Sequence, residues 1–374
     1  MASRDVRQVR RVLELYAGIG GMHFALDEYF KSADEAGEEI SIMAVDINPS
    51  AKLVYDANFP SAPLRQIDIR ALKDAHFDGV WLMTLSPPCQ PFSRNGNVLD
   101  VEDARCESFL FVLAMLARLT NPPENIIMEN VKGFETSEAC RQMRDVLRKQ
   151  GYRFKEYLLS PIHFGIPNSR LRYYLTAWRD PADKSELPKE LPPDELSEDS
   201  VKTVIDAGTN YSELDLRQFL HHSVEIEHST PPSLLIPLDI LAKYLMVLDI
   251  KFPTSTTTNC FTSGYGRYFK GTGSMFCPLP EHVFADLVKE YLAHPDDRST
   301  LAAMKLRYFS PVEVAFLMGF PNCFVIPSVV APRLAWRLLG NSLNVHVVSL
   351  LLKQLLRPTS TITTESVAHF RNKL

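Results

Sequence analysis

No stretch of this chain approaches the roughly 20 consecutive apolar residues that a membrane-spanning helix needs. Paired cysteines are equally missing. The six thiols stand at 89, 106, 140, 260, 277 and 323, with no Cys-x-x-Cys and no histidine pair at zinc spacing. A disulfide framework and a metal centre are therefore not expected, and the thiols read as reduced, which places the chain inside the cell. The charged opening residues, Met1 to Arg11, lead straight into a strand and lack the apolar core of a secretory signal. Internal repeats are absent. So are a Gly-x-Gly-x-x-Gly turn and a Walker lysine, which argues against dinucleotide and phosphoryl-transfer enzymes. Nor is there a basic surplus: the net charge is −5 and the pI about 6.1, whereas a nucleic-acid binder usually shows a basic domain.

The charge is unevenly spread, however. Residues 180–229 hold thirteen Asp/Glu against four Lys/Arg, and they include Pro181, Pro188, Pro192 and Pro193 without sustained periodicity. That stretch reads as an acidic surface insertion or mobile linker. Without it the remainder stands at +4, and residues 331–374 alone at +5, which is compatible with a basic cleft.

The first 178 residues alternate in a strand–helix rhythm. Strands are expected at 11–16, 42–46, 80–85, 125–129, 152–159 and 171–178. Helices are expected at 21–30, 50–58, 109–119 and 137–149. Such alternation predicts an α/β fold, a doubly wound Rossmann-like sheet with helices on both faces. Residues 180–300 break the rhythm and read as a smaller, irregular second domain. Helical patterning returns at Pro311–Met318 and as one long helix over Arg333–Leu356. The expected division is thus a discontinuous domain of 1–179 and 301–374 around an inserted 180–300.

The strand ends carry the chemistry. The apolar run Gly79–Leu85 ends in Ser86-Pro87-Pro88-Cys89-Gln90-Pro91-Phe92-Ser93. The prolines cannot donate to a ladder and hold the chain on a stiff exit path. Cys89 is thereby presented at the carboxyl end of a strand, where open α/β sheets place ligands. It reads as a nucleophile rather than a small buried hydrophobe. The turn Tyr16-Ala17-Gly18-Ile19-Gly20-Gly21 lets backbone N–H groups approach a ligand. Asp46 could accept from two ribose hydroxyls, and Asp68 could reach an adenine amino group. Each carboxylate alone could equally be a helix cap. Together they favour a nucleoside without a pyrophosphate, with S-adenosyl-L-methionine as the candidate. Glu129 ends the apolar strand Ile126-Ile127-Met128, where poor solvation would let it donate a proton near neutrality, although capping the next helix is also open. Arg170 and Arg172, two apart, are expected on one strand face. There they would form a surface ladder or, beside a thiolate, lower its pKa and hold an anion.

In this order, the Gly18–Gly21 turn, Asp46, Asp68, Pro87-Pro88-Cys89-Gln90, Glu129-Asn130-Val131, Arg170-x-Arg172 and Gly340-Asn341-Ser342 resemble the motifs of the cytosine-5 methyltransferase family. Glu129 to Glu135, Cys260-Phe261-Thr262 followed by Gly264-Tyr265-Gly266, and Leu338 to Val345 are most similar to its tRNA-aspartate branch. Asn168 departs from the glutamine that the wider family usually has before the arginine pair. The resemblance implies Cys89, Glu129, Arg170 and Arg172 as catalytic residues. It implies a cofactor site of Tyr16, Ala17, Gly18, Ile19, Gly20, Gly21, Asp46, Ile47, Asp68, Ile69, Pro87, Asn341 and Ser342. Gln90, Ser93, Arg94, Lys132, Cys260, Phe261 and Thr262 would meet the substrate, with 180–300 as the target-recognition domain. The implied reaction is methyl transfer from S-adenosyl-L-methionine to C5 of an anticodon-loop cytosine, in tRNA-Asp, by a monomer of cytoplasm and nucleus. DNA is the alternative substrate, and a catalytically idle nucleic-acid-binding scaffold the reading from another class. An N6-amino methyltransferase would want an aromatic residue where Cys89 stands.

Overall fold

The computed structural model describes residues 9–32, 39–88, 106–179, 211–220 and 231–356. The chain divides into two compact units, one drawn from Met1–Leu159, Leu171–Asn210 and Val347–Leu374, the other from Ser160–Arg170 and Tyr211–His346.

In the first unit the expected α/β sheet is present. Its elements are β1 (Arg10–Leu15), α1 (Gly21–Ser32), β2 (Ile40–Asp46), α2 (Pro49–Asn58), β3 (Arg65–Gln66), α3 (Asp74–Phe77), β4 (Leu82–Leu85), α4 (Glu107–Arg118), β5 (Asn125–Val131), α5 (Glu138–Lys149), β6 (Arg153–Leu159) and β7 (Arg172–Trp178). The strand order is β3-β2-β1-β4-β5-β7-β6. Strands β1 to β5 run parallel, and β7 lies antiparallel between β5 and β6. β4 is buried at every position, as a central parallel strand must be when helices cover both faces. Leu13, Leu15, Met83, Leu85, Ile126 and Met128 meet Phe109, Val112 and Leu116 of α4 in one core. Local signals set the helix starts. Asn48 accepts from Ser50 N and Ala51 N at the head of α2, with Pro49 in the first turn, and Ser137 accepts from Cys140 N at the head of α5.

The second unit carries a three-stranded sheet of β8 (Ile250–Lys251), β9 (Met275–Phe276) and β10 (Arg307–Tyr308), in the order β10-β9-β8. Helices span Leu238–Tyr244, Glu281–Ala293, Arg298–Ala303, Pro311–Leu317 and Pro332–Gly340. The described part of 180–300 is thus less irregular than the composition suggests. Residues 301–346, expected with the catalytic part, group here instead. Ile236 N donates to Leu306 O (3.1 Å), Tyr308 N to Leu234 O (2.9 Å) and Trp336 Nε1 to Phe309 O (3.0 Å). A buried pair fixes the same region: the Arg307 guanidinium donates to both oxygens of Glu313 at 2.7 and 2.8 Å.

The single helix expected over Arg333–Leu356 is two, Pro332–Gly340 and Val345–Leu355. Between them Asn344 Nδ2 donates to Leu317 O (3.2 Å) and Val345 N to Met318 O (2.8 Å), so tertiary partners replace helical ones. Gly340 sits at the break because the backbone of Thr262–Ser263 passes directly over it. A Cβ there would lie 2.2 Å from both Ser263 N and Thr262 C. Backbone cannot swing aside as a side-chain tip can. Gly340→Ala is therefore expected to destabilise by about 1–3 kcal/mol, read as a lower urea midpoint at unchanged slope.

Candidate active site

The carboxyl ends of β1, β2, β4 and β5 share one edge of the first sheet, and four groups of predicted residues emerge there. After β1, Tyr16 (φ 58°) and Gly18 (φ 55°) take left-handed conformations, a costly choice for Tyr16 that makes the turn sharp. Ala17 N still donates to Val45 O (3.1 Å), and the Tyr16 hydroxyl donates to Ser108 Oγ (3.1 Å). Gly20 is needed for another reason: its Cβ would meet the Phe59 ring at 2.5 Å. Gly18, by contrast, would meet no atom closer than 3.9 Å, so its backbone lies open to a ligand. Gly21 opens α1 and Ile19 is buried.

Asp46, ending β2, accepts from Gly18 N and from Asn48 N, each at 2.8 Å. Burial raises its pKa and these N–H groups oppose the rise. One carboxylate thus ties the glycine turn to the neighbouring strand. Ile47 beside it is 64% exposed, an apolar side chain left uncovered at the sheet edge. Asp68 takes the bland alternative. It caps the turn Ile69–Ala71 through Arg70 N and is held by the Arg70 guanidinium, which keeps its carboxyl below the usual range. Ile69 is in the core.

The β4–β5 edge carries the predicted reactive groups. Leu85 is in register with Met128, so Ser86-Pro87 and Glu129-Asn130 continue adjacent parallel strands. Pro87 is buried and Pro88 half-buried; Cys89, Gln90, Ser93 and Arg94 lie outside the described residues. Glu129 is 8% exposed, and Arg172 Nε on β7 stands 3.5 Å from its Oε1. Asn130 Oδ1 accepts from Val131 N (2.8 Å). Among the described residues Asn130 Nδ2 and Ser86 Oγ, both buried, have no hydrogen-bond partner, an arrangement suited to a bound polar molecule. Lys132 is exposed beyond the strand.

Arg170 corrects an expectation. β7 begins at Arg172, so the two arginines do not share a strand face, and Arg170 belongs to the second unit. Its side chain is buried and donates to Phe261 O (2.9 Å), Cys260 Sγ (3.5 Å), Gly340 O (3.1 Å) and Ser342 O. One guanidinium therefore gathers residues expected in three separate roles: Arg170 itself, Cys260–Phe261, and Ser342 beside Asn341. Asn168, the departure noted above, is also structural: Nδ2 donates to Thr258 Oγ1 (3.1 Å). Thr262 N donates to Thr272 O (2.9 Å), extending this loop framework.

A group the motifs did not indicate lies one turn inside. Glu14, on β1, is 1% exposed and accepts from the Tyr55 hydroxyl (2.9 Å), which lies 2.6 Å from His23 Nδ1. The His23 ring stacks on Phe59, the ring that meets Gly20. Burial pushes Glu14 up to about 8 and His23 down to about 4. An acid between the apolar residues Val12-Leu13 and Leu15 of β1 was the available sequence signal.

The family model for C-5 cytosine-specific DNA methylases matches residues 10–357. The chain is 37% identical to the Bos taurus tRNA (cytosine(38)-C(5))-methyltransferase, over 92% of this chain and 98% of that protein. It is 33% identical to a Dictyostelium discoideum protein named DNA (cytosine-5)-methyltransferase, over 93% and 94%. Among solved structures, a Spodoptera frugiperda DNMT2 variant superposes with a TM-score of 0.75 at 35% identity, over 93% of this chain and all of that one.

Two outcomes are expected. Arg170→Lys keeps the charge but cannot span the carbonyls of 261, 340 and 342, so chemical denaturation should show a loss of about 1–3 kcal/mol. Glu14 binds a proton in the folded state between its ordinary 4.5 and about 8, where the unfolded chain does not. Stability therefore falls as pH rises through that interval. His23 acts in the opposite sense only below about 6.5. From pH 6.5 to 8, wild type should lose about 2 kcal/mol relative to Glu14→Gln, by urea titration at each pH.

Proposed function

The chain belongs to the C-5 cytosine-specific DNA methylase family, and from that premise we propose that it methylates C5 of a cytosine in the anticodon loop of tRNA. The observation that carries this reading is the near-complete match to relatives named for tRNA cytosine-38 methylation. The sheet edge supports the chemistry through the paired ends of β4 and β5, which bring the Pro87-Pro88 exit beside Glu129, with Arg172 3.5 Å away.

S-adenosyl-L-methionine, which supplies an electrophilic methyl group when bound, fits the residues after β1 and β2. Gly18 is open to approach, Asp46 is a carboxylate for a ribose, Ile47 is an apolar face, and the Tyr16–Gly21 turn lacks the Gly-x-Gly-x-x-Gly spacing of a pyrophosphate site.

C5 of cytosine is a weak nucleophile. Cys89, as thiolate, adds to C6 and makes C5 enamine-like. Glu129 hydrogen-bonds the exocyclic amine and shares a proton at N3, offsetting charge as it develops in the ring. Arg172 holds the Glu129 carboxyl and faces the adduct. After C5 has gained its methyl group, loss of the C5 proton restores the ring and expels Cys89. An anticodon loop presents its bases already unpaired, so little work is spent on extruding the target. tRNA-Asp is the proposed substrate. The Dictyostelium relative's name favours a second reading, DNA, with the same residues in the same roles.

With tritiated S-adenosyl-L-methionine, label should enter unmodified tRNA-Asp in preference to other tRNAs and to cytosine-containing duplex DNA. Cys89→Ala should abolish incorporation while sparing cofactor binding, and Glu129→Gln should lower the rate at least 100-fold with RNA binding retained. Normal turnover by Cys89→Ala would overturn the covalent route, and label mainly in DNA would select the second reading.

A further inference from the structure

Two segments of the second unit carry aromatic and basic side chains that the proposed chemistry leaves unused. Lys243 and Tyr244 end the helix Leu238–Tyr244. Arg267, Tyr268, Phe269 and Lys270 follow the turn that starts at Gly264. The rings of Tyr244 and Phe269 stack with centroids 5.1 Å apart and planes 22° apart, tying the segments together. Each segment sets a cation over a ring. Lys243 Nζ lies 5.1 Å from the Tyr244 centroid, and the Arg267 guanidinium carbon 5.1 Å from that of Tyr268. Tyr268 is 54% exposed, whereas Tyr265, three residues earlier, is buried with its hydroxyl bonded to Ser274 O (2.7 Å).

The charge on this face has one sign. Between 243 and 270 stand Lys243, Lys251, Arg267 and Lys270 against the single acid Asp249. Lys251 lies 3.0 Å from Asp249 and neutralises it. Among the described residues no carboxylate pairs with Lys243, Arg267 or Lys270, which leaves +3 on a chain whose net charge is −5.

We propose that this face holds unpaired nucleotides of the RNA substrate, with the rings of Tyr268 and of the Tyr244–Phe269 pair taking bases and Lys243, Arg267 and Lys270 taking phosphates. The inference rests on the RNA reading above and adds a surface to it. An aromatic face rewards bases that have left their stack, which a loop supplies and a duplex does not. An acidic peptide would satisfy the cations but leave the rings without a use.

The test is fluorescence anisotropy with labelled, unmodified tRNA-Asp transcript over a range of salt concentrations, beside steady-state kinetics and thermal melts. Tyr268→Ala is expected to weaken binding about 5- to 50-fold and to raise KM for tRNA with little change in kcat. Tyr268→Phe, which keeps the ring, should restore both. The double variant Arg267→Ala/Lys270→Ala removes two exposed cations and should flatten the log–log salt slope by about 1.4, or 0.7 per cation on a single strand. Unchanged tRNA affinity and salt slope in folded variants, with wild type still methylating tRNA, would overturn the surface and leave the enzyme reading intact. A wild type that binds and methylates only duplex DNA would overturn both.

Discussion

Parallel pairing of β1 with both β2 and β4, and of β4 with β5, is the constraint from which the catalytic edge follows. Leu15 is opposite Val45 and Leu85, and Leu85 is opposite Met128. Parallel strands point the same way, so whatever follows each must leave at the same edge. The glycine turn, Asp46, the proline pair and Glu129 are far apart in sequence and adjacent in register. The topology also reverses at β1–β4, opening the crevice where such sheets bind ligands. No single side chain creates this edge, but each depends on it.

The second unit solves a different problem. Its sheet has only two-residue strands, so most of its backbone cannot be satisfied by ladders. Helices and turns take up most of it, and side chains close carbonyls that these leave over. Arg170 caps three carbonyls from two segments, Tyr265 joins Ser274 O to Phe309 N, and Trp336 donates to Phe309 O. An arginine suits this use because its planar fork carries five donors in fixed directions and stays charged when buried. Arg307 with Glu313 repeats the theme as a closed pair, bidentate and fully enclosed. Such packing tolerates little trespass, and Gly340 and Gly266 lie where a single Cβ would strike backbone or the Trp336 ring.

Under the glycine turn, polarity is buried on purpose of another kind. Glu14, Tyr55 and His23 form a chain of hydrogen bonds shielded by Phe59, and the same ring limits the space at Gly20. The shape of the turn is therefore coupled to a network whose hydrogen bonds are strong because it is dry, and whose Glu14 holds its proton well above the ordinary carboxyl range. A strand residue and two helices thereby share responsibility for a backbone conformation that the glycines merely permit.

By itself, the sequence determined the α/β class, the order of the main strands, the strand-end positions of Asp46 and the proline pair, and the family; Glu129, expected to end β5, lies two residues inside it. These are local or short-range matters: periodicity, breakers that cannot donate, and motifs that do not depend on distant partners. Only the tertiary structure decided that Arg170 holds loops while Arg172 faces Glu129, and that 301–346 packs with the second unit. It also split the last helix at Asn341–Asn344. In each case the outcome turns on which distant groups come within hydrogen-bond reach. A carboxylate can cap, pair or bind a ligand with equal local propensity, and two arginines at i and i+2 share a face only if both lie in the strand. Residue types set what each group is able to bond; the fold alone sets what it meets.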